Sequence, residues 1–251
     1  MDHKPIFSFK ADISRITIPK KLNNPFGSSH PEIALLAASE FQELLSAQEV
    51  AWEKELQKVK GKMFGVLVVE KENGNLNYLA AVSGKLPHDA KSVQLIPTVF
   101  DDSIDDYFIN RGMTELTEIG NKIRATNSPI EVARLTEERK LKSVGLQQKL
   151  FANYQFMNIS GTKKNVLEIF DQSDHGNPPA AAGECAAPKL LHYAIKHKLK
   201  PIALAEFWWG SSPKNNERKH KAYYPACKNK CRPILEFMLE DFELFNTRNE
   251  S

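Results

Sequence analysis

Three cysteines are the residues of this chain whose type and spacing could do chemistry, and all three lie in its last third. Cys185 stands alone, whereas Cys227 and Cys231 form a close pair. Thiolates are soft ligands for zinc, and a lone cysteine with a downstream pair can bring three of them to one ion from two helix starts. The pattern therefore predicts a zinc site formed by Cys185, Cys227 and Cys231.

Two other interpretations of these cysteines remain open. A free cysteine is also a small residue that is readily buried, so the three side chains could simply belong to the core. Disulfide bonding is the weaker alternative, because the number of cysteines is odd and the sequence shows neither a secretory leader nor an apolar run long enough to cross a membrane. We therefore expect a soluble, cytoplasmic protein with reduced thiols and no membrane partner.

Several groups could supply a fourth zinc ligand. His192 falls on the helix that Cys185 is predicted to open, and His175 and His220 fall on predicted loops. A neutral imidazole binds zinc, but an ordinary surface or hydrogen-bonded histidine is the simpler interpretation of His192. The sequence leaves the fourth ligand open.

Positive charge is concentrated around the cysteines. The formal net charge is +3, but eleven Lys or Arg and only two Glu lie from Lys189 to Arg232, which gives +9 there and −6 elsewhere. Aromatic residues lie among these cations, and cations for phosphates beside flat rings for unpaired bases are typical of RNA binding. The predicted RNA-binding residues are Lys189, Trp209, Lys214, Arg218, Lys219, His220, Lys221, Tyr223, Lys228, Lys230 and Arg232.

The alternative for this segment is a solvated basic loop beside an aromatic core. Trp208 and Trp209 are neighbours on a predicted strand, so their side chains point to opposite faces of the sheet. At most one of the two rings is therefore expected to be free to stack on a base.

The first half of the chain predicts an α/β arrangement. Residues 1–30 carry prolines without sustained periodicity and are interpreted as an irregular N-terminal arm, followed by a single domain over 31–251. Pro31 opens a helix whose apolar stripe continues to about Ala47. Two apolar segments, 62–70 and 76–83, flank an Asn-Gly turn and predict a β-hairpin inside a covered sheet.

The second half positions the cysteines. Helices are predicted over 104–125 and 130–158, so that 104–158 forms a helical insertion, and 165–170 is either a short strand or a helix end. Cys185 then begins a helix to about His197, residues 201–209 form a buried strand, and Cys227 or Cys231 opens the last helix.

Several unusual segments resemble the N-terminal extension found on one group of RluA-type RNA pseudouridine synthases. The resemblance extends from about residue 24 to residue 242 and is carried by residues 61–69, 80–86, 183–191, 205–210 and 224–231. It implies an association with structured RNA, such as rRNA or tRNA, and with a separate pseudouridine synthase catalytic domain.

The resemblance does not imply uridine isomerisation by this polypeptide. In that family the catalytic Asp belongs to a downstream domain with a His-Arg-Leu-Asp motif. The nearest string here is Ala133-Arg134-Leu135-Thr136, which lacks both the His and the Asp. Whether the chain is an enzyme is therefore open. The family that it resembles is named for pseudouridine synthase activity, but this chain carries no synthase active-site motif.

The predicted order of elements also resembles the cytidine-deaminase-like zinc fold. The resemblance implies an α/β deaminase-like three-layer core, decorated by the N-terminal arm and the helical insertion. It also implies that Cys185, Cys227 and Cys231 hold zinc while a water takes the fourth position and a Glu moves protons. The sequence departs from that pattern twice, because Ala187 stands where the Glu is expected and three residues instead of two separate the paired cysteines.

Glu184 or Glu206 could replace the missing general acid/base. Glu184 precedes Cys185 and should point elsewhere on the first turn, so Glu206, on a predicted buried strand, is the better candidate, although a structural ion pair or hydrogen bond is its simpler use. The sequence thus predicts an RNA-associated accessory module without synthase activity. A zinc-dependent deaminase-like hydrolase of a nucleobase or nucleotide is the first alternative. A structural interaction domain with cysteines in its core is the second.

Overall fold

The computed structural model describes residues 5–47, 61–84, 86, 94–100, 102–173, 176–213 and 217–240. Within these ranges the chain is a mixed α/β protein with six helices, a four-stranded antiparallel sheet and a two-stranded antiparallel sheet. The elements are β1 (Phe7–Ser8), α1 (Glu32–Ala47), β2 (Lys62–Glu70), β3 (Leu76–Val82), α2 (Asp102–Ala125), α3 (Pro129–Asn153), β4 (Gln155–Met157), β5 (Lys163–Asn165), α4 (Val166–Asp171), α5 (Ala186–Lys196), β6 (Lys200–Trp209) and α6 (Lys228–Met238).

The predicted hairpin is present and forms the centre of the larger sheet. Strands β2 and β3 pair from Phe64 opposite Val82 to Glu70 opposite Leu76. The turn between them places Gly74 at a φ of 79°, a left-handed conformation that glycine adopts without strain, and its N–H donates to the Lys71 carbonyl (2.8 Å). The turn at Asn73-Gly74 therefore sets which residues of the two strands pair.

Strand β6 extends the sheet on the other side of β2. The strand order is β1-β3-β2-β6, and β6 runs antiparallel to β2 with Gly65 opposite Glu206. The segment 200–209 thereby becomes the edge strand beside the central hairpin, and it directly precedes the segment that leads to the paired cysteines.

Helices cover both faces of this sheet. Phe64, Val66 and Val68 point to one face and pack with α1, whereas Leu67 and Val69 point to the other face and pack with α5 and α6. Two apolar clusters result, one on each side, as the alternation of side chains along a strand requires. The expectation that β2 lies inside a covered sheet is confirmed.

Gly65 allows α5 to approach the sheet closely. A Cβ at this position would lie 3.1 Å from the Ala186 Cβ, 3.1 Å from the Leu190 Cδ1 and 3.3 Å from the Glu206 Cγ. A side chain would force the helix outward, so the absence of one helps to set the distance between the start of α5 and strand β6.

The outer edge of β6 is covered by two segments that are remote from it in sequence. The Asn23 side chain bonds both the N–H (2.8 Å) and the carbonyl (3.0 Å) of Leu204. Further along, the Trp208 N–H donates to the Ala222 carbonyl (2.9 Å) and the Tyr224 N–H donates to the Glu206 carbonyl (3.0 Å). Backbone groups of Leu204, Glu206 and Trp208 on the side of β6 away from β2 are thus hydrogen-bonded.

Two sequence-based expectations need correction. The arm over residues 1–30 is not wholly irregular, because Phe7–Ser8 pairs with Asn77 and Tyr78 of β3. The helix predicted to reach residue 158 ends at Asn153, and residues 155–157 pair with 163–165 as strands. Of the two alternatives for 165–170, the structure has a helix, which begins after Asn165 because Asn165 and Glu168 form a capping box.

Helices α2 and α3 pack against each other and project from the sheet. Their closest partners are one another, and α3 also contacts α4. The Arg139 side chain donates to the Leu116 carbonyl (3.4 Å), and Lys142 forms an ion pair with Glu115 (2.9 Å). No helix within the described ranges combines the length and apolar character that crossing a membrane requires.

Candidate metal centre

The three cysteines meet at one point, as the sequence predicts. The Cys185 and Cys227 sulfurs lie 3.8 Å apart, the Cys227 and Cys231 sulfurs lie 3.0 Å apart, and all three lie within 4.8 Å of one another. Tetrahedral coordination with Zn–S bonds of about 2.3 Å separates sulfurs by about 3.8 Å. The first pair has this spacing, whereas the sulfurs of the second pair lie closer together than zinc coordination requires. The cysteines could therefore hold a metal such as zinc.

The three sulfurs lie at the N-terminal ends of helices α5 and α6. Cys185 is the N-cap of α5 and Cys227 is the N-cap of α6, and neither side chain makes a capping hydrogen bond. Cys231 lies one turn further along α6, where its N–H donates to the Cys227 carbonyl (3.3 Å). Helix N-termini carry partial positive charge, which stabilises thiolates placed there.

The thiols hydrogen-bond one another and share their protons unequally. Hydrogen bonds with Cys185 and Cys231, together with the nearby backbone N–H groups of Lys230 and Cys231, hold the pKa of Cys227 well below its usual range. The hydrogen bond to Cys227 raises the pKa of Cys185 to about 12, and hydrogen bonds and burial raise that of Cys231. Cysteine binds zinc as a thiolate, so zinc binding to this cluster would release protons.

Glu206 lies beside this cluster as a buried carboxyl group. Its side chain is 5% exposed, and one oxygen accepts the N–H of Ala187 (3.2 Å) in the first turn of α5. Burial and the negative charge of Cys227 raise the pKa of Glu206 to about 8, although the Ala187 N–H and the charge of Arg218 oppose the change. The strand thus places a carboxyl group next to the residue where the deaminase-like pattern lacks one.

Lys189 is not available to RNA, which corrects the prediction for this residue. Its side chain is 2% exposed, and its ammonium group lies 3.0 Å from the Glu184 carboxylate and 2.8 Å from the Gly84 carbonyl. A buried ammonium group needs such partners to offset its lost hydration. Lys189 therefore anchors the start of α5 to the end of β3.

Trp209 is also unavailable for stacking on a base. It is 3% exposed and packs on the α1 face, with the His220 ring centroid 4.4 Å away and the Lys221 ammonium 5.3 Å from its ring. Tyr223 is half-buried against Phe207. The aromatic part of the predicted RNA-binding set is therefore mostly core.

The predicted cations divide by exposure. Lys219, His220, Lys221 and Lys228 are exposed; Arg218, Lys230 and Arg232 are half-buried. Lys214 lies outside the described residues. Two stacked pairs were not predicted: Arg218 lies over the ring of Tyr224 (4.1 Å) and Arg232 lies over the ring of Phe26 (4.9 Å).

The candidate histidine ligands do not join the cysteine cluster among the described residues. The His192 ring contacts Phe156, and burial lowers the pKa of His192 to about 4. His220 accepts the Gly210 N–H on its Nδ1 (3.0 Å). His175 lies outside the described residues. The described protein side chains thus supply three ligands.

The fold and the cysteine cluster define a mixed α/β protein with three converging thiols that could hold a metal. Comparisons of the chain with protein-family models, with curated proteins and with solved structures find no match.

Proposed function

We propose that this chain is an RNA-associated accessory module organised around a zinc centre, related to the N-terminal extension of RluA-type pseudouridine synthases and without synthase activity of its own. The observation that carries the proposal is the convergence of three thiols at the start of α6, a helix whose first turns are basic. Exposure of Cys227 argues against the reading of the cysteines as plain core residues.

The charge of α6 supports an anionic partner. Lys228, Lys230 and Arg232 lie in its first turns, and no acidic residue lies in the first turn. Cations at a helix N-terminus oppose the helix dipole and cost stability. Thiolates offset part of this cost, and contact with RNA phosphates would offset more. The partner we propose is structured rRNA or tRNA, together with a separate synthase catalytic domain.

RNA retardation on a gel, or fluorescence anisotropy, tests this proposal with the zinc-loaded protein. If Lys219, Lys221 and Lys228 each neutralise one phosphate, the logarithm of the affinity should fall with the logarithm of salt concentration with a slope of about −2, at about 0.7 per phosphate. Replacing all three by Gln is expected to flatten this slope. A matched variant that replaces Lys140, Lys142 and Lys149 of α3 should leave it unchanged, and equal slopes in the two variants would refute the RNA surface.

A second candidate is a zinc-dependent deaminase-like hydrolase. It is favoured by the Glu206 carboxyl group, which lies beside three thiols that leave a fourth zinc position for water. The β2–β3 hairpin, the strand β6 beside β2, and two helices that begin at cysteines support a deaminase-like three-layer core. When bound, zinc would activate a water for attack on a nucleobase. Glu206, with its raised pKa, would carry the proton to the leaving nitrogen.

Ammonia release from cytidine, adenosine or guanosine tests the hydrolase candidate. The zinc-loaded protein should release ammonia with turnover, and the release should disappear on removal of zinc. No release from any of the three nucleosides, in protein that holds one zinc per chain, would leave the accessory role as the better proposal.

A further inference from the structure

Arg218 is fixed on the loop that leads to the paired cysteines. Its guanidinium lies 4.1 Å from the centre of the Tyr224 ring, and its backbone N–H donates to the Ser212 hydroxyl (2.9 Å). Tyr224 is itself held, because its hydroxyl accepts the Lys219 N–H (2.8 Å). No described carboxylate forms an ion pair with the Arg218 side chain. The cation is therefore positioned by an aromatic face, and within the described part of the chain its guanidinium has no ion-pair partner.

The Arg218–Tyr224 pair lies on the same side of the sheet as the metal centre. Tyr223 packs into the cluster on the α1 face, and adjacent residues of an extended segment point to opposite faces. Tyr224 therefore points to the α5 face, which is the side on which the Glu206 side chain contacts α5. Cys227 follows three residues later.

The stacked pair belongs to the segment that leads to the cluster. Tyr224 is tied to β6 at Glu206 by its backbone N–H, and Arg218 lies over its ring. The half-buried arginine therefore stands on the same segment as the exposed Cys227.

We propose that Arg218 binds a phosphate group of a nucleotide and thereby holds the nucleotide at the approach to the cysteine cluster. The planar guanidinium fork matches a phosphate, and stacking on Tyr224 orders the fork before the ligand arrives. The inference rests on the proposed function for the metal centre and for nucleic-acid contact. The phosphate belongs either to a free nucleotide or to an RNA backbone, which present the same chemistry to Arg218.

Binding measurements on the zinc-loaded full chain separate these two sources. The probes are cytidine 5′-monophosphate, cytidine and a short single-stranded RNA, each titrated against the wild-type protein, Arg218→Gln and Arg218→Lys. Arg218→Gln should weaken phosphate-containing probes about tenfold and lower the salt slope for RNA by about 0.7. Arg218→Lys keeps the positive charge, so the salt slope for RNA should stay at the wild-type value. Its affinity for the phosphate-containing probes should stay below that of wild type, because an ammonium group lacks the planar donor pair of the guanidinium.

Lys149→Gln is the matched control, since it removes another cation that lies over an aromatic ring, Phe108 (4.4 Å), on the helical pair. It should bind every probe as the wild-type protein does. A loss confined to the mononucleotide identifies a free nucleotide as the ligand, and a loss confined to RNA identifies the RNA backbone. Wild-type affinity of Arg218→Gln for both, or no binding of either by the wild-type protein, would overturn the proposal.

Zinc content, measured on every variant, keeps this inference distinct from the proposed metal centre. Arg218-dependent phosphate binding by a protein without zinc would support the arginine site and refute the metal centre. If the protein holds one zinc per chain but binds phosphate equally well without Arg218, the metal centre is supported and the arginine site is refuted.

Discussion

Replacement of Cys227 by Ser is expected to abolish stoichiometric zinc binding. Cys227 is the central sulfur of the cluster, at 3.8 Å from Cys185 and 3.0 Å from Cys231, and its thiolate is the form that the surrounding donors favour. A hydroxyl group is a poor substitute, because it does not ionise near neutral pH and is a harder ligand. Loss of a ligand should cost more than the 10–100-fold in affinity that is typical of losing an outer-shell partner.

Elemental analysis after dialysis against a weak chelator measures this effect. The wild-type protein should retain about one zinc per chain and the variant close to none. Zinc at about 100 times its dissociation constant should raise wild-type stability by about 2.7 kcal/mol and leave the variant unchanged. Asn229→Ala, an exposed change in the same turn of α6, is the control and should keep the metal. Equal zinc content in wild type and Cys227→Ser would refute the site.

Replacement of Glu206 by Gln is expected to change how the stability of the metal-free protein depends on pH. The pKa of Glu206 is raised from 4.5 to about 8, so between these values the folded chain holds a proton that the unfolded chain has released. The contribution of Glu206 to the free energy of unfolding must therefore fall as pH rises through this window, by up to about 1.4 kcal/mol per pH unit. Gln cannot titrate, so the variant should gain stability relative to wild type as the pH is raised.

Urea unfolding of both proteins, at several pH values within that window and with chelator present, gives the comparison. Asn77→Ala is a suitable control, because Asn77 is as buried as Glu206 in the same sheet but carries no titrating proton. It should lower stability by a similar amount at each pH. A constant difference between wild type and Glu206→Gln across the window would contradict the raised pKa.

Local patterns in the sequence predict most of the elements that hold the site. The Asn-Gly turn, the apolar segments beside it and the helix opened by Pro31 depend on short-range geometry, and the structure confirms them. The convergence of the cysteines was also predictable, because residues at the starts of successive helices around one strand meet at one end of that strand. The short strand at 155–157 was missed because its three residues are too few to establish a period of two.

Burial of the cations and rings was harder to predict, since it depends on contacts between remote segments. Lys189 looks like one of the surface cations of the basic segment 189–232 until its partners, Glu184 and the end of β3, are known. Trp209 looks free to stack until α1 is placed on its face of the sheet. The hydrogen bond from Ala187 to Glu206 joins two elements, and neither segment alone indicates it.

The covered margin of β6 has a consequence for how the protein behaves among its own copies. A sheet that ends in unpaired N–H and C=O groups invites a strand from another molecule to add to it, which leads to aggregation or exchange of segments. Here Asn23 and the stretch that contains Tyr224 occupy those groups. The N-terminal arm therefore protects the same strand that carries Glu206 from intermolecular strand addition.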